Sequence, residues 1–178
     1  CSRAERFSDV TGLESETPVA KVGEFTITDR LIRSEVESAA KMYGNLDNVP
    51  PQFQLQIEGS AVSSSIGYAY MLQLAKKYGV EPGDDQILKM IDGGLTDEFN
   101  SVKQQLIAQK KLEATATEAD FAKAFKSATG KEMSEARAEA METYKQKLAM
   151  SDLRMPFAAM AVNQPLMDAI KKTITLSD

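Results

Sequence analysis

The chain is predicted to be mainly α, a multi-helix domain with a small β-hairpin near its N-terminal end. Three observations predict this class. Pro18 to Thr28 alternates apolar and polar residues with a period of two around Gly23-Glu24, the pattern of two short strands and a tight turn. Most of the chain after Thr28 repeats apolar residues at steps of three and four, the spacing of amphipathic helices. Glycine, proline and Ser/Thr/Asp residues punctuate those runs where helices start and stop. A lone two-stranded hairpin is marginal in water, so these strands need a helical layer to cover them.

Taken in order, Val19 and Lys21 belong to the first strand and Phe25 and Ile27 to the second. Thr28 or Asp29 then caps a helix carrying Leu31, Ile32, Val36, Ala39 and Ala40. The stretch from Asn45 to Pro51 reads as a loop with a Pro-Pro stop. Gln52 to Tyr78 is the longest helical run, closed by Gly79, and its small residues suit a central helix approached closely by others. Beyond it, the spacing predicts a short helix over Gln86 to Asp92, capped by Asp84 or Asp85. Gly93-Gly94 is expected to break it and Thr96 to cap a second helix, with Ile87, Leu88, Ile91, Leu95, Phe99, Val102, Leu106 and Ile107 forming the apolar stripe across the pair. Thr117 to Thr129 forms another helix, ended by Gly130, and Ser134 begins the next. Pro156 is expected to interrupt the helical pattern and Pro165 to start a last helix. The final TITLSD, Thr173 to Asp178, reads as a strand or a linker into something further.

At 178 residues, with 43% hydrophobic and 26% charged residues, the chain can bury a core without disulfides. The net charge of −5, with scattered Lys and Arg, argues against nucleic acid, which needs a clustered basic surface. There is no His, and Cys1 is the single Cys. The usual proton shuttle and commonest metal ligand are therefore missing, as are an intramolecular disulfide and a thiolate zinc site. Adjacent carboxylates at Asp84-Asp85 and Asp97-Glu98 point in different directions on a helix and do not converge. No catalytic residue, metal ligand or cofactor is expected.

Cys1 at the first position, followed by the polar run to Thr17, resembles the start of a mature bacterial lipoprotein. In such proteins a diacylglycerol is carried on the cysteine sulfur as a thioether. Residues 1–17 would then be a tether, residues 18–178 the helical domain, and Cys1 the lipid-attachment site. Each buried methylene of a lipid chain contributes ~0.8 kcal/mol to membrane binding.

The order of segments is similar to the SurA N-terminal chaperone domain. AKVGEFTITDRLIRSEV resembles its opening strand pair and helix, and LQLAKKYGVEPGDDQILKMI its next step. TEADFAKAFKSATGKEMSEARAEAMETYKQKLAM resembles its later helices, and AIKKTITLSD its exit. The parvulin-type isomerase domain that often accompanies it in this family is absent from these 178 residues. The resemblance implies a SurA-N-like fold that binds unfolded protein segments without catalysis, in the bacterial cell envelope and lipid-anchored on its periplasmic or extracytoplasmic face. Nine Met and no Trp suit an adaptable apolar surface, with Met150, Met155, Phe157, Met160 and Met167 as candidate client or partner contacts. The alternative is a structural accessory lipoprotein subunit docked on a larger membrane protein complex.

Overall fold

The computed structural model describes residues 16–174, and the mainly α class with an N-terminal hairpin holds. The described elements are β1 (Pro18–Val22), β2 (Phe25–Thr28), α1 (Asp29–Ala40), α2 (Pro51–Lys77), α3 (Asp84–Ala108), α4 (Glu118–Thr129), α5 (Met133–Leu148) and α6 (Ser151–Thr173). Two single-turn 3₁₀ segments, Lys41–Tyr43 and Leu46–Asn48, fill the connection between α1 and α2. The chain forms two compact units. One contains the chain up to Pro82 together with the chain from Ala149; the other is Gly83–Leu148. The first is therefore discontinuous in sequence, and the second is inserted between its two parts.

In the first unit β1 and β2 pair antiparallel, with Val22 opposite Phe25 and Ala20 opposite Ile27. Gly23 has φ +58° at the first position of the two-residue turn, where glycine avoids the steric cost of a side chain. The register shifts between Pro18 and Ala20. By the ordinary alternation of a strand, Ala20 and Val22 are half-buried on one face, while Val19 and Lys21 are exposed on the other. Thr28 caps α1, its hydroxyl accepting the Leu31 N–H at 3.2 Å.

Helix α2 is the central element, packing on α1, α6 and both strands. Its 27 residues run about 40 Å, and its buried face is Ala61, Ser65, Ala69, Leu72 and Ala75. The small side chains let other helices approach closely, and α6 faces inward with Ala158, Ala159, Ala161 and Val162. The Ser65 hydroxyl is fully buried but donates to the Ala61 carbonyl at 2.8 Å, which removes the cost of an unmet polar group.

Expectations about two helices are corrected. Helix α3 does not break at Gly93-Gly94; it is one helix of 25 residues. Gly costs about 1 kcal/mol per residue in a helix interior, whereas a fully buried Ile or Leu contributes about 1.5–3 kcal/mol. Buried Ile87 and Ile91 precede the pair, and buried Leu95 and Leu106 come after it. Burial on both sides outweighs the two glycines. Thr96 accordingly caps nothing, and its hydroxyl bonds back to the Asp92 carbonyl at 2.9 Å. Asp84 and Asp85 lie in the first turn rather than at the cap, which is Gly83.

Likewise α6 runs through Pro156 and Pro165 without interruption. Each proline lacks the N–H for the carbonyl four residues back and costs about 3 kcal/mol inside a helix. Leu153, Met155, Val162 and Leu166 are buried around the two prolines, and their burial holds the helix together. Thr173 ends α6 rather than opening a strand; residues 175–178 of the expected terminal strand lie outside the described residues. The hairpin meets the start of α6, where Thr28 reaches Asp152.

That meeting is a buried ion pair. Arg30 Nε donates to Asp152 Oδ2 at 2.9 Å and Arg30 Nη2 to Asp152 Oδ1 at 2.6 Å. Thr28 Oγ1 also donates to Oδ2, at 2.5 Å. The two charged side chains are 9% and 4% exposed. Nearby, Arg33 donates to Asp29 at 3.2 Å, and the exposed Lys76–Glu24 pair ties the hairpin turn to α2.

In the second unit Leu106, Phe121 and Phe125 form a buried cluster with Phe99, Val102, Ala124 and Met133 against it. Phe121 meets Phe125 edge-on at 6.2 Å between ring centres, a favoured aromatic geometry. Thr117 and Asp120 form a reciprocal capping box on α4, and Gly130 closes it at φ +77°. The expected ends of this helix are thus present.

Replacing Asp152 with Ala leaves the Arg30 guanidinium buried without its carboxylate. Urea denaturation is expected to show a loss of about 3–5 kcal/mol. Adding Arg30→Met in the same chain should restore part of that loss, because the stranded charge is then gone.

Candidate functional site

The candidate contacts fall on α6, and the helix separates them. Successive residues turn by about 100°. Phe157, Met160 and Met167 therefore share one side, with Gln164 between the methionines. Met160 is 59% exposed and Met167 46%, while Phe157 is half-buried. Met150 precedes the helix as its N-cap and is exposed. Met155 points the other way. It is 4% exposed and lies in the core, so it offers no contact surface of the kind the other methionines do. The fold thus gathers Phe157, Met160 and Met167 into a stripe and leaves Met150 apart. Cys1 and most of the expected tether lie outside the described residues.

Sequence reading missed a second surface. On α2, Leu55, Ile66 and Tyr70 lie within a narrow arc of one another about the helix axis and are exposed, Leu55 at 71% and Tyr70 at 63%. Phe53 is also exposed, on a different side. The signal was weak because α2 carries apolar and small residues on several sides, so no single stripe stands out. The helical spacing of Leu55, Ile66 and Tyr70 is the only trace.

Beside the hairpin a cleft of about 320 Å³ is lined by Glu16, Glu24, Phe25, Arg30, Ser151 and Asp152 among others. Its central polar groups are engaged with each other. Arg30 holds Asp152 and also reaches Glu16 Oε1 at 3.0 Å. The Arg30 pKa is raised, first by its hydrogen bond to Asp152. Burial pushes the Asp152 carboxyl upward. The hydrogen bonds from Arg30, Thr28 and the Leu153 N–H outweigh that, and hold it below the usual carboxylate range. Across α1 and α2, Tyr68 donates to Glu35 Oε2 at 3.0 Å. Burial, then the Glu35 charge, push the Tyr68 phenol up to about 12. It stays protonated at neutral pH and acts as a donor.

In the second unit an apolar cleft of about 250 Å³ is lined by Leu95, Phe99, Val102, Phe125, Ala136 and Ala140, with Glu98 at its side. Asp97 and Glu98 sit within α3, not at a helix N-terminus, because the helix is continuous. Among the described residues no three His, Cys, Asp or Glu side chains converge to hold a metal, and no helix is long and apolar enough to cross a membrane.

The arrangement combines a buried, internally paired polar cluster with apolar side chains presented to solvent on α2 and α6. Chemically, such a surface can bind apolar segments. No protein-family model, curated protein or solved structure matches this chain.

The lowered Asp152 pKa makes the fold acid-sensitive, and its sign is set by linkage. The unfolded chain binds this proton more readily, near a pKa of about 3.9. The contribution of Asp152 is thus full above that value and lost as pH falls through the lower folded value. Denaturation of wild type at pH 7 and pH 3 is expected to show a larger drop than the same comparison in Asp152→Asn, which has no carboxylate to titrate.

Proposed function

We propose that this chain is a non-catalytic, lipid-anchored bacterial envelope protein that binds extended apolar protein segments in a chaperone-like manner. Lipid on Cys1 would hold it at the membrane, as the lipoprotein-like start suggests, and the helical region would act as a SurA-like binding domain. The observation that supports binding is the stripe on α6, where Phe157, Met160 and Met167 share a side and the two methionines are largely exposed. Met side chains are unbranched and polarizable, so one surface can adapt to varied partners. Lys171, one turn beyond Met167, and Gln164 give the stripe a polar margin.

A second reading is an accessory lipoprotein subunit docked on a membrane protein complex. Exposed Leu55, Ile66 and Tyr70 on α2 favour it, because a fixed aromatic and aliphatic line suits a permanent contact with a defined partner. Gentle solubilisation and pull-down separate the two: one stoichiometric partner supports docking, and a range of clients supports chaperoning.

The first reading is tested by light scattering of an unfolded outer-membrane protein diluted into buffer. Wild type in stoichiometric excess is expected to suppress aggregation. Met160→Lys with Met167→Lys should weaken binding by about fivefold for each side chain, from ~1 kcal/mol of lost apolar burial apiece, with the melting temperature nearly unchanged. No suppression by wild type rejects the chaperone reading. Suppression undiminished in the variant moves the binding surface off α6.

A further inference from the structure

Gly93 and Gly94 stand in succession inside α3, exposed to solvent. Neither has a positive φ. A Cβ built at either position meets nothing within 4 Å. Neither backbone conformation nor close packing therefore requires glycine, and alanine would favour the helix by about fivefold at each position. Gly59 and Gly67 in α2 also face open space, but they stand singly. Here two fall together, and a side chain from another helix spans them.

That side chain is Arg137 of α5. Its Nη2 donates to the Asp92 carbonyl at 3.1 Å and to Asp92 Oδ1 at 2.7 Å, just before the pair. It also lies 3.0 Å from Thr96 Oγ1, just after it. The Thr96 hydroxyl in turn donates to the Asp92 carbonyl. One guanidinium thus ties together the two sides of the weakest point in α3.

We propose that α3 is a hinged helix, with Gly93-Gly94 as the hinge and Arg137 as the splint that holds it straight. The two sides of the hinge have different surroundings. The Leu106, Phe121 and Phe125 cluster draws on the part of α3 after the glycines, through Phe99 and Val102. The apolar cleft between α3, α4 and α5 begins at Leu95, the residue next to the pair, and Ala136 and Ala140 beside Arg137 form its α5 wall. Its width depends on how α5 sits on α3, so the splint governs access to it. Arg137 and Asp92 are 35% and 57% exposed, and salt weakens such a pair. Added salt therefore loosens the ionic part of the splint, and the bonds to the Asp92 carbonyl and the Thr96 hydroxyl remain.

Amide hydrogen exchange on the full chain tests this. The amides of residues 95–98 bond to carbonyls 91–94 and so cross the hinge, while those of 103–106 lie in the clustered segment. Wild-type 95–98 should exchange faster than 103–106 and with weaker urea dependence, the mark of local opening. Arg137→Ala and added salt should each speed 95–98 severalfold. The double variant Gly93→Ala, Gly94→Ala, which favours the folded helix, should slow it by about 25-fold. Equal urea dependence for the two segments, or an unchanged 95–98 rate in Arg137→Ala, overturns the hinge.

Discussion

The first unit depends on the contact between Arg30 and Asp152. These residues lie 122 positions apart, and the whole sequence of the second unit falls between them. A discontinuous unit has to close on itself, and the two-pronged bond from guanidinium to carboxylate specifies where. Two charges this deeply buried are costly unless each is matched by good geometry and further hydrogen bonds. Here Thr28, the Leu153 N–H and Glu16 supply those bonds. Thr28 serves twice, capping α1 and donating to Asp152. The turn from hairpin to helix and the start of α6 are therefore set by one side chain.

Around that closure, packing is a matter of small residues and tolerated defects. Ala and Ser on α2 meet Ala and Val on α6, so the backbones approach closely and few large side chains are needed inside. The larger apolar side chains of both helices are then partly left on the outside, at Leu55, Tyr70, Met160 and Met167. A related balance explains why α6 can carry two prolines and α3 two glycines. Each helix is held by burial on both sides of its local weakness, and local propensity is overridden.

The exposed apolar lines of α2 and α6 belong to unit one and the paired glycines of α3 to unit two, and they suggest different capacities. Unit one presents apolar side chains on helices with a well-buried opposite face, which suits binding. Unit two places a helix weakness beside an apolar cleft, which suits conformational adjustment.

Residue type and spacing were enough to set the local architecture. The hairpin at Gly23-Glu24, a cap at Thr28 or Asp29, the span from Thr117 to Thr129, the stops at Gly79 and Gly130 and the central role of α2 were all legible in the linear chain. Those features depend mostly on neighbours a few positions away, so a linear reading can find them. That α3 and α6 run unbroken was not legible, because glycine and proline are local signals and the burial that overrides them comes from other helices. Met155 and Met160, five residues apart on the same helix, could not be separated either, since both satisfy the same composition and only packing assigns one to the core. Nor could Arg30 be paired with Asp152. Charge at each position is plain in the sequence, but which opposite charges meet across 122 residues is settled only when the chain folds and brings the two ends of a discontinuous unit together.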